Sequence, residues 1–162
     1  MSTVQRPDVA SSPTRSEKTR HNRRRRESKA SPVPYIFDFD LTKGILRSKL
    51  IGRVTDEVLK DFFRADADYV VRTEPQAGIV DFSETTSFEV SARAIGDLAK
   101  SPLVLPSSGV RRVVIAPPHA YGLMRMFEIA GETTRPDIHV VRTAREAWAI
   151  LSVTNPRFEP LE

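Results

Sequence analysis

The chain has no cysteine at all. A disulfide framework, a thiolate metal site and a cysteine nucleophile are therefore excluded, and a reducing compartment, the cytoplasm, is the expected location. Long apolar runs are missing too. No window approaches the roughly 18 consecutive apolar residues that a membrane-spanning helix requires, so a soluble protein is expected. The basic run Arg23 to Arg26 is followed by Glu27-Ser28-Lys29-Ala30, where a secretory signal would need an apolar stretch, and export is not expected. The three histidines stand far apart and give no metal-ligand spacing. Nothing in the composition calls for a cofactor or a metal, and no nucleophile stands with an evident base, so an enzyme is not expected.

The chain does have a lopsided charge. Residues 1–33 hold nine Lys/Arg against three Asp/Glu, whereas the remainder is slightly acidic despite a whole-chain net charge of +4. The basic character thus belongs to an arm with almost no large apolar residue, which cannot bury enough surface to offset the entropy of ordering and is expected to be disordered. Arg23, Arg24, Arg25 and Arg26 would give it weak, salt-dependent attraction to nucleic acid or acidic surfaces. No aromatics are interleaved for base stacking. Ser28, just after the basic run, is a candidate phosphorylation site that would lower the local charge.

The apolar residues gather after Val33, enough for one domain over residues 34–152. Tyr35 to Asp40 and Ile45 to Ile51 read as two strands of a hairpin joined by Leu41-Thr42-Lys43-Gly44, with Gly52 ending the second. Thr55 is placed to cap a helix that opens on Asp56 and Glu57 and carries Val58, Leu59, Phe62, Phe63, Tyr69 and Val70 at roughly helical spacing. Gly78 to Phe82 reads as a buried parallel strand, followed by a Ser/Thr-rich turn and a helix over Val90 to Lys100. Residues 101–109 read as a loop, Arg112 to Ala116 as a strand, Ala120 to Gly131 as a helix and Ile138 to Val141 as a strand. Thr143 and Glu146 form a capping box for a last helix through Leu151, and residues 153–162 are expected to be a flexible tail. Strand-helix-strand repeats imply parallel pairing with right-handed crossovers. The expected fold is a single α/β domain with a mixed, mostly parallel five-stranded sheet and about four helices.

This order of elements, with Leu50 to Thr55, Gly78 to Ser83, Tyr121 to Phe127 and Ala144 to Trp148 as they stand in it, resembles the STAS or SpoIIAA-like domains, the fold of bacterial anti-sigma-factor antagonists. The likeness covers about Tyr35 to Leu151. It implies a noncatalytic regulatory module whose partner is another protein, a regulator or a kinase. In antagonists of this fold a phosphorylatable serine follows an acidic residue at the start of the second helix. Asp81-Phe82-Ser83 matches the strand end of that pattern, and Val90 occupies the acceptor position between Glu89 and Ser91. Ser91 is a second candidate phosphorylation site, one residue along and so rotated by about 100° on a helix.

Two groups of residues are candidate sites. Asp81, Ser83, Glu84, Thr85, Thr86, Glu89 and Ser91 lie where a parallel strand feeds a helix, an edge where α/β sheets commonly bind partners or ligands. A solvated loop whose hydroxyls cap turns is the plainer alternative. His119, Tyr121 and Arg125 near the start of the third helix are candidates for a ligand groove, the last two sharing a helix face, although an arginine stem covering apolar surface is the simpler account. His139 is expected to be structural.

The regulatory reading leads. A small apolar-ligand or lipid-binding domain is the alternative; it requires a cavity beneath the helix of Met124 to Phe127. Nucleic-acid association through the arm is a further one, and homodimerisation is left open.

Overall fold

The computed structural model describes residues 34–101 and 110–162. The expectations for the basic arm, for Ser28 and for most of the loop after Ser101 lie outside the described residues.

Strands β1 (Tyr35–Asp40) and β2 (Ile45–Thr55) form the expected antiparallel hairpin. Gly44 takes φ +63 at its turn. The chain then alternates α1 (Asp56–Thr73), β3 (Ala77–Glu89), α2 (Ala92–Lys100), β4 (Arg111–Ile115), α3 (Pro118–Gly131), β5 (Ile138–Val141) and α4 (Ala144–Leu151), and ends with β6 (Glu159–Pro160). The sheet order is β5-β4-β3-β2-β1-β6. β2, β3, β4 and β5 pair in parallel, while β1 pairs antiparallel with both β2 and β6.

The helices divide unequally between the two faces. Leu59 and Phe62 of α1, Ile95 and Ala99 of α2, and Ala120, Met124 and Phe127 of α3 share one core with Phe37, Leu50, Val54, Phe82 and Val114 of the sheet. Ala147 and Leu151 of α4 cover Ile45, Ile79, Val113 and Ile115 on the other face. Phe37 stacks on Tyr69 at 4.2 Å between ring centres and lies parallel to Phe62 at 6.0 Å, fixing α1 against the hairpin. The predicted caps are present. Thr55 accepts from the Val58 amide, and Thr143 with Glu146 forms the reciprocal capping box.

Several expectations are corrected. The sheet has six strands rather than five, and the tail expected to be flexible supplies the sixth. The amide of Arg157 donates to the fully buried Asp40 carboxylate at 2.7 Å, the amide of Leu161 donates to Phe37 at 2.8 Å, and the Phe158 ring lies 4.1 Å beneath the Arg47 guanidinium. A buried carboxylate needs donors, and the tail provides one. Gly52 does not end β2. It takes φ +76 at an irregularity, and the strand runs on to Thr55. The Ser/Thr-rich segment after Phe82 is not a turn but the continuation of β3, because the lengthened β2 gives its backbone a parallel partner through Glu89. α2 accordingly starts at Ala92, with Val90 buried ahead of it, and α3 starts at Pro118, whose fixed φ suits a first helical position.

Candidate functional site

Each helix follows a parallel strand, so all four helix N-termini lie along one edge of the sheet, the edge at which β2 to β5 end. Thr55, Ser91, Pro117 and Thr143 are the four cap residues. Partial positive charge at these ends favours acidic side chains there.

The junction of β3 with α2 is tied across to β2 and α1. Ser91 accepts from the Ala94 amide at 3.1 Å, and its own amide and hydroxyl both donate to the Asp56 carboxylate, at 2.7 and 2.8 Å. Those two hydrogen bonds, backbone first, hold the Asp56 carboxyl below its ordinary range. Beside it, the Arg53 guanidinium meets Glu89 in a two-pronged pair with Nε to Oε1 at 2.9 Å, while the Ser87 hydroxyl donates to the same Oε1 at 3.3 Å. The hydrogen bond from Arg53 is the largest influence lowering the Glu89 carboxyl. Lys49 reaches Glu84 at 2.7 Å one step back along the strands. These pairs face solvent and contribute little stability individually; they match Glu84 and Glu89 of β3 to cations of the neighbouring β2.

The hydroxyl of Thr85 donates to the carbonyl of Phe82 at 2.7 Å and stands 3.0 Å from Nε2 of His119. Its only proton is committed to the carbonyl, so Nε2 of His119 carries the hydrogen in that contact and Thr85 Oγ1 accepts. Thr85 is thus the link between β3 and the start of α3.

The seven residues of the first candidate site are brought to one region but not to one surface. Ser83, Glu84, Thr86, Glu89 and Ser91 are exposed, whereas Asp81 and Thr85 are buried. Asp81 turns inward to accept from the Ser83 amide at 2.9 Å. The second group separates. His119 joins β3, Tyr121 lies 4.4 Å beneath the Arg142 guanidinium, and Arg125 pairs with Glu128 of its own helix. Arg125 instead borders a surface depression of about 350 Å³ shared with Ile129, Arg135 and the exposed His139. Asp56, Arg53 and Lys49 are site residues that the strand-to-helix reading missed. Asp56 was visible as a favourable first-turn acid, but nothing in the sequence shows that it points across to another helix. Among the described residues no group of three His, Asp or Glu side chains is placed to hold a metal ion.

No known family profile matches the chain, and no curated protein matches it in sequence. Among solved structures, the anti-sigma factor antagonist SpoIIAA in its unphosphorylated form superposes with a TM-score of 0.52 at 15% identity, over 75% of this chain and 99% of that one. The chain has the SpoIIAA-like fold. The match spans essentially the whole of SpoIIAA, so the STAS-like likeness read from the order of elements holds for the entire domain rather than for a shared fragment. Among the described residues no helix is long and apolar enough to cross a membrane.

A second feature lies inside the SpoIIAA-like domain. Between the three-helix layer and the sheet is a cavity of about 60 Å³, walled by Phe63, Phe82, Leu98, Val114, Met124 and Phe127 and carrying Ser48, Asp66, Arg112 and Arg135. It lies beneath α3, where the apolar-ligand alternative requires one, but it is far too small for a lipid acyl chain: the volume is that of about two waters. Asp66, on the buried face of α1, accepts from the Ser48 hydroxyl, and burial pushes its carboxyl up to about 6. Its position four residues after Phe62 and four before Val70 puts it in the apolar stripe, which is the signal by which sequence could have found it.

Proposed function

We propose that this chain is a noncatalytic regulatory module that binds another protein through the exposed part of the sheet edge, Ser83, Glu84, Thr86, Glu89 and Ser91, with Asp81 and Thr85 as the buried framework behind them. The observation that carries the reading is the junction of β3 with α2. There the Arg53–Glu89 pair and the Asp56–Ser91 contact set an exposed surface of paired charges and hydroxyls at a helix start. The likeness in fold to an anti-sigma factor antagonist supports a protein partner, a regulator or a kinase.

Ser91 is the hydroxyl of this surface that caps a helix, and we propose it as the site of modification. A phosphate there would add close to two negative charges at the N-terminus of α2 while displacing Asp56, so the modified surface would differ in both charge and local structure. In this reading phosphorylation switches partner affinity.

The test is capture from native lysate with the intact chain, the double variant Glu84→Ala/Glu89→Ala and a version lacking residues 1–33. A specific protein retained by the intact and shortened chains and lost with the double variant is expected. Capture indifferent to Glu84 and Glu89 would count against this surface, and binding that needs the arm and vanishes in high salt would favour nucleic-acid or acidic-surface association instead.

A further inference from the structure

β5 is the last strand at one end of the sheet, with β4 on one side and no strand of the described residues on the other. The amide of Arg112 donates to the carbonyl of Asp137, and that of Ala116 to the carbonyl of Val141. Those contacts turn the backbone groups of Asp137 and Val141 toward β4, so Ile138 and Val140, at the alternate positions, present theirs outward. An open strand edge of this kind is a template for pairing with another chain.

Both outward amides are occupied, by different means. That of Ile138 donates to the carbonyl of Arg135 at 3.2 Å, within a local backbone turn. That of Val140 donates at 3.2 Å to Oε1 of Glu128, which reaches down from α3 while its Oε2 pairs with Arg125. The Glu128 side chain is only 18% exposed and Val140 is buried. A side chain changes rotamer more readily than a backbone turn opens, so Glu128 is the removable part of the closure. Beside it stands an unburied apolar group: Ile129 is 64% exposed, on the rim of the depression that also holds Arg125, Glu132 and Ile138.

We propose that the β5 edge is a self-pairing surface and that Glu128 is the lock that keeps it closed. The occupant is a second copy of the chain, its β5 antiparallel to the first about a two-fold axis at His139. That arrangement sets the Val140 amide of each copy against the outward carbonyl of Ile138 in the other, in place of Glu128. Tyr121, early in α3, meets Arg142 just past the end of β5, whereas Arg135, soon after α3, lies just before its start, so helix and strand run in opposite directions. Arg125 therefore lies toward the end of β5 and Glu132 toward its start. The two-fold turns the Arg125 released from Glu128 toward Glu132 of the second copy and brings the two exposed Ile129 side chains to the same seam. This surface is separate from the junction of β3 with α2 and stands or falls independently of it.

The full chain, Glu128→Ala and Glu128→Gln would be compared by sedimentation equilibrium at one concentration. The intact chain is expected to be a monomer and Glu128→Ala to double the molar mass. Glu128→Gln keeps an oxygen for the Val140 amide and should stay monomeric. Should the alanine variant fail to fold, read from its amide spectrum, Glu128→Asp carries the test: one methylene shorter, it cannot hold that amide and should associate as well. The two-fold sets the His139 side chains opposite each other, where like charges repel and unlike charges attract. Adding His139→Lys or His139→Glu to the associating variant should each return it to monomer, and mixing the two should restore pairing. Monomeric alanine and aspartate variants, or association that ignores both changes at His139, would overturn the proposal. Equal association of the intact chain would also overturn it, since Glu128 would then lock nothing.

Discussion

The carboxylate of Asp56 receives both the backbone N–H and the hydroxyl of Ser91, so the first residue of α1 holds the cap of α2. Two helices that start 36 residues apart in sequence are thereby fixed at their beginnings by one side chain. Asp56→Ala is expected to loosen the start of α2, read as faster amide hydrogen exchange at Ala94 and Ile95 with exchange in the sheet unchanged. Ser91→Ala removes the cap itself and should cost about 1 kcal/mol in chemical denaturation. Because the Asp56 carboxyl is lowered in the folded chain, its contribution is present above the ordinary carboxylate pKa and is lost as pH falls through the lowered value. The Ser91 amide proton shift, followed down the acid range, reads that loss.

Asp66 carries a dependence of the opposite sign. Its carboxyl is raised to about 6, so between about pH 4 and 6 the folded chain holds a proton that the unfolded chain has released. The contribution of Asp66 is most favourable in acid and declines as pH rises through that window, by up to about 3 kcal/mol. Asp66→Asn keeps an acceptor for Ser48 and removes the titration. The variant should gain stability over the parent at pH 7.5 and little or none at pH 4.5, measured by urea denaturation at the two values. An equal effect at both would show that Asp66 is not buried as described.

His119 should be found as the Nε2–H tautomer when neutral, with its ring nitrogen shifts read by 15N NMR. Thr85→Val removes the acceptor of that hydrogen. The substitution is expected to free the ring, moving both nitrogen shifts toward those of an unconstrained imidazole, while the core around Phe82 stays in place.

Removal of residues 156–162 should destabilise the domain by about 1–3 kcal/mol. The Asp40 carboxylate would lose the Arg157 amide and keep only the Lys43 amide at 3.0 Å, and β1 would become an open edge. Exposed edges pair with other chains, so the shortened protein is also expected to associate at high concentration, which light scattering would detect.

Where sequence and structure agree, short-range chemistry is the reason. Thr55, Thr143 and Glu146 act within three residues of themselves, and the stripe of Leu59, Phe62 and Val70 follows from helical spacing alone. β3 beyond Phe82 and β6 were not legible because their strand character comes from the neighbour. Glu84 to Glu89 is too polar to read as a strand until β2 is laid beside it, and two residues at β6 carry no pattern. The site was legible to the same degree. Composition drew attention to residues 81–91, yet it could not separate buried Asp81 and Thr85 from exposed Glu84 and Glu89, nor name the partners Lys49, Arg53 and Asp56 from more than thirty residues upstream. The arginine of the cavity wall gave no signal at all, since its burial depends on packing between three elements.

The two irregularities in the pairing of β2 with β3 have the effect of a brief change of parity. Lys49 lies beside Asp81, Ile51 beside Glu84 and Arg53 beside Ser87, so β3 gains one residue at each of two steps. Before the first step the odd-numbered residue Ile79 faces α4; between the steps the even-numbered Glu84 takes that side and the odd-numbered Thr85 turns toward the helices; after the second, the original alternation returns and Phe88 rejoins the main core. The hydroxyl of Thr85 reaches His119 only inside that short window. A single-residue deletion there would leave every later side chain of β3 on the wrong side of the sheet, whereas a two-residue deletion would erase both steps and keep the sides correct. Length changes in this segment should therefore be tolerated in pairs, and the pair that survives would fold while losing its tie to α3.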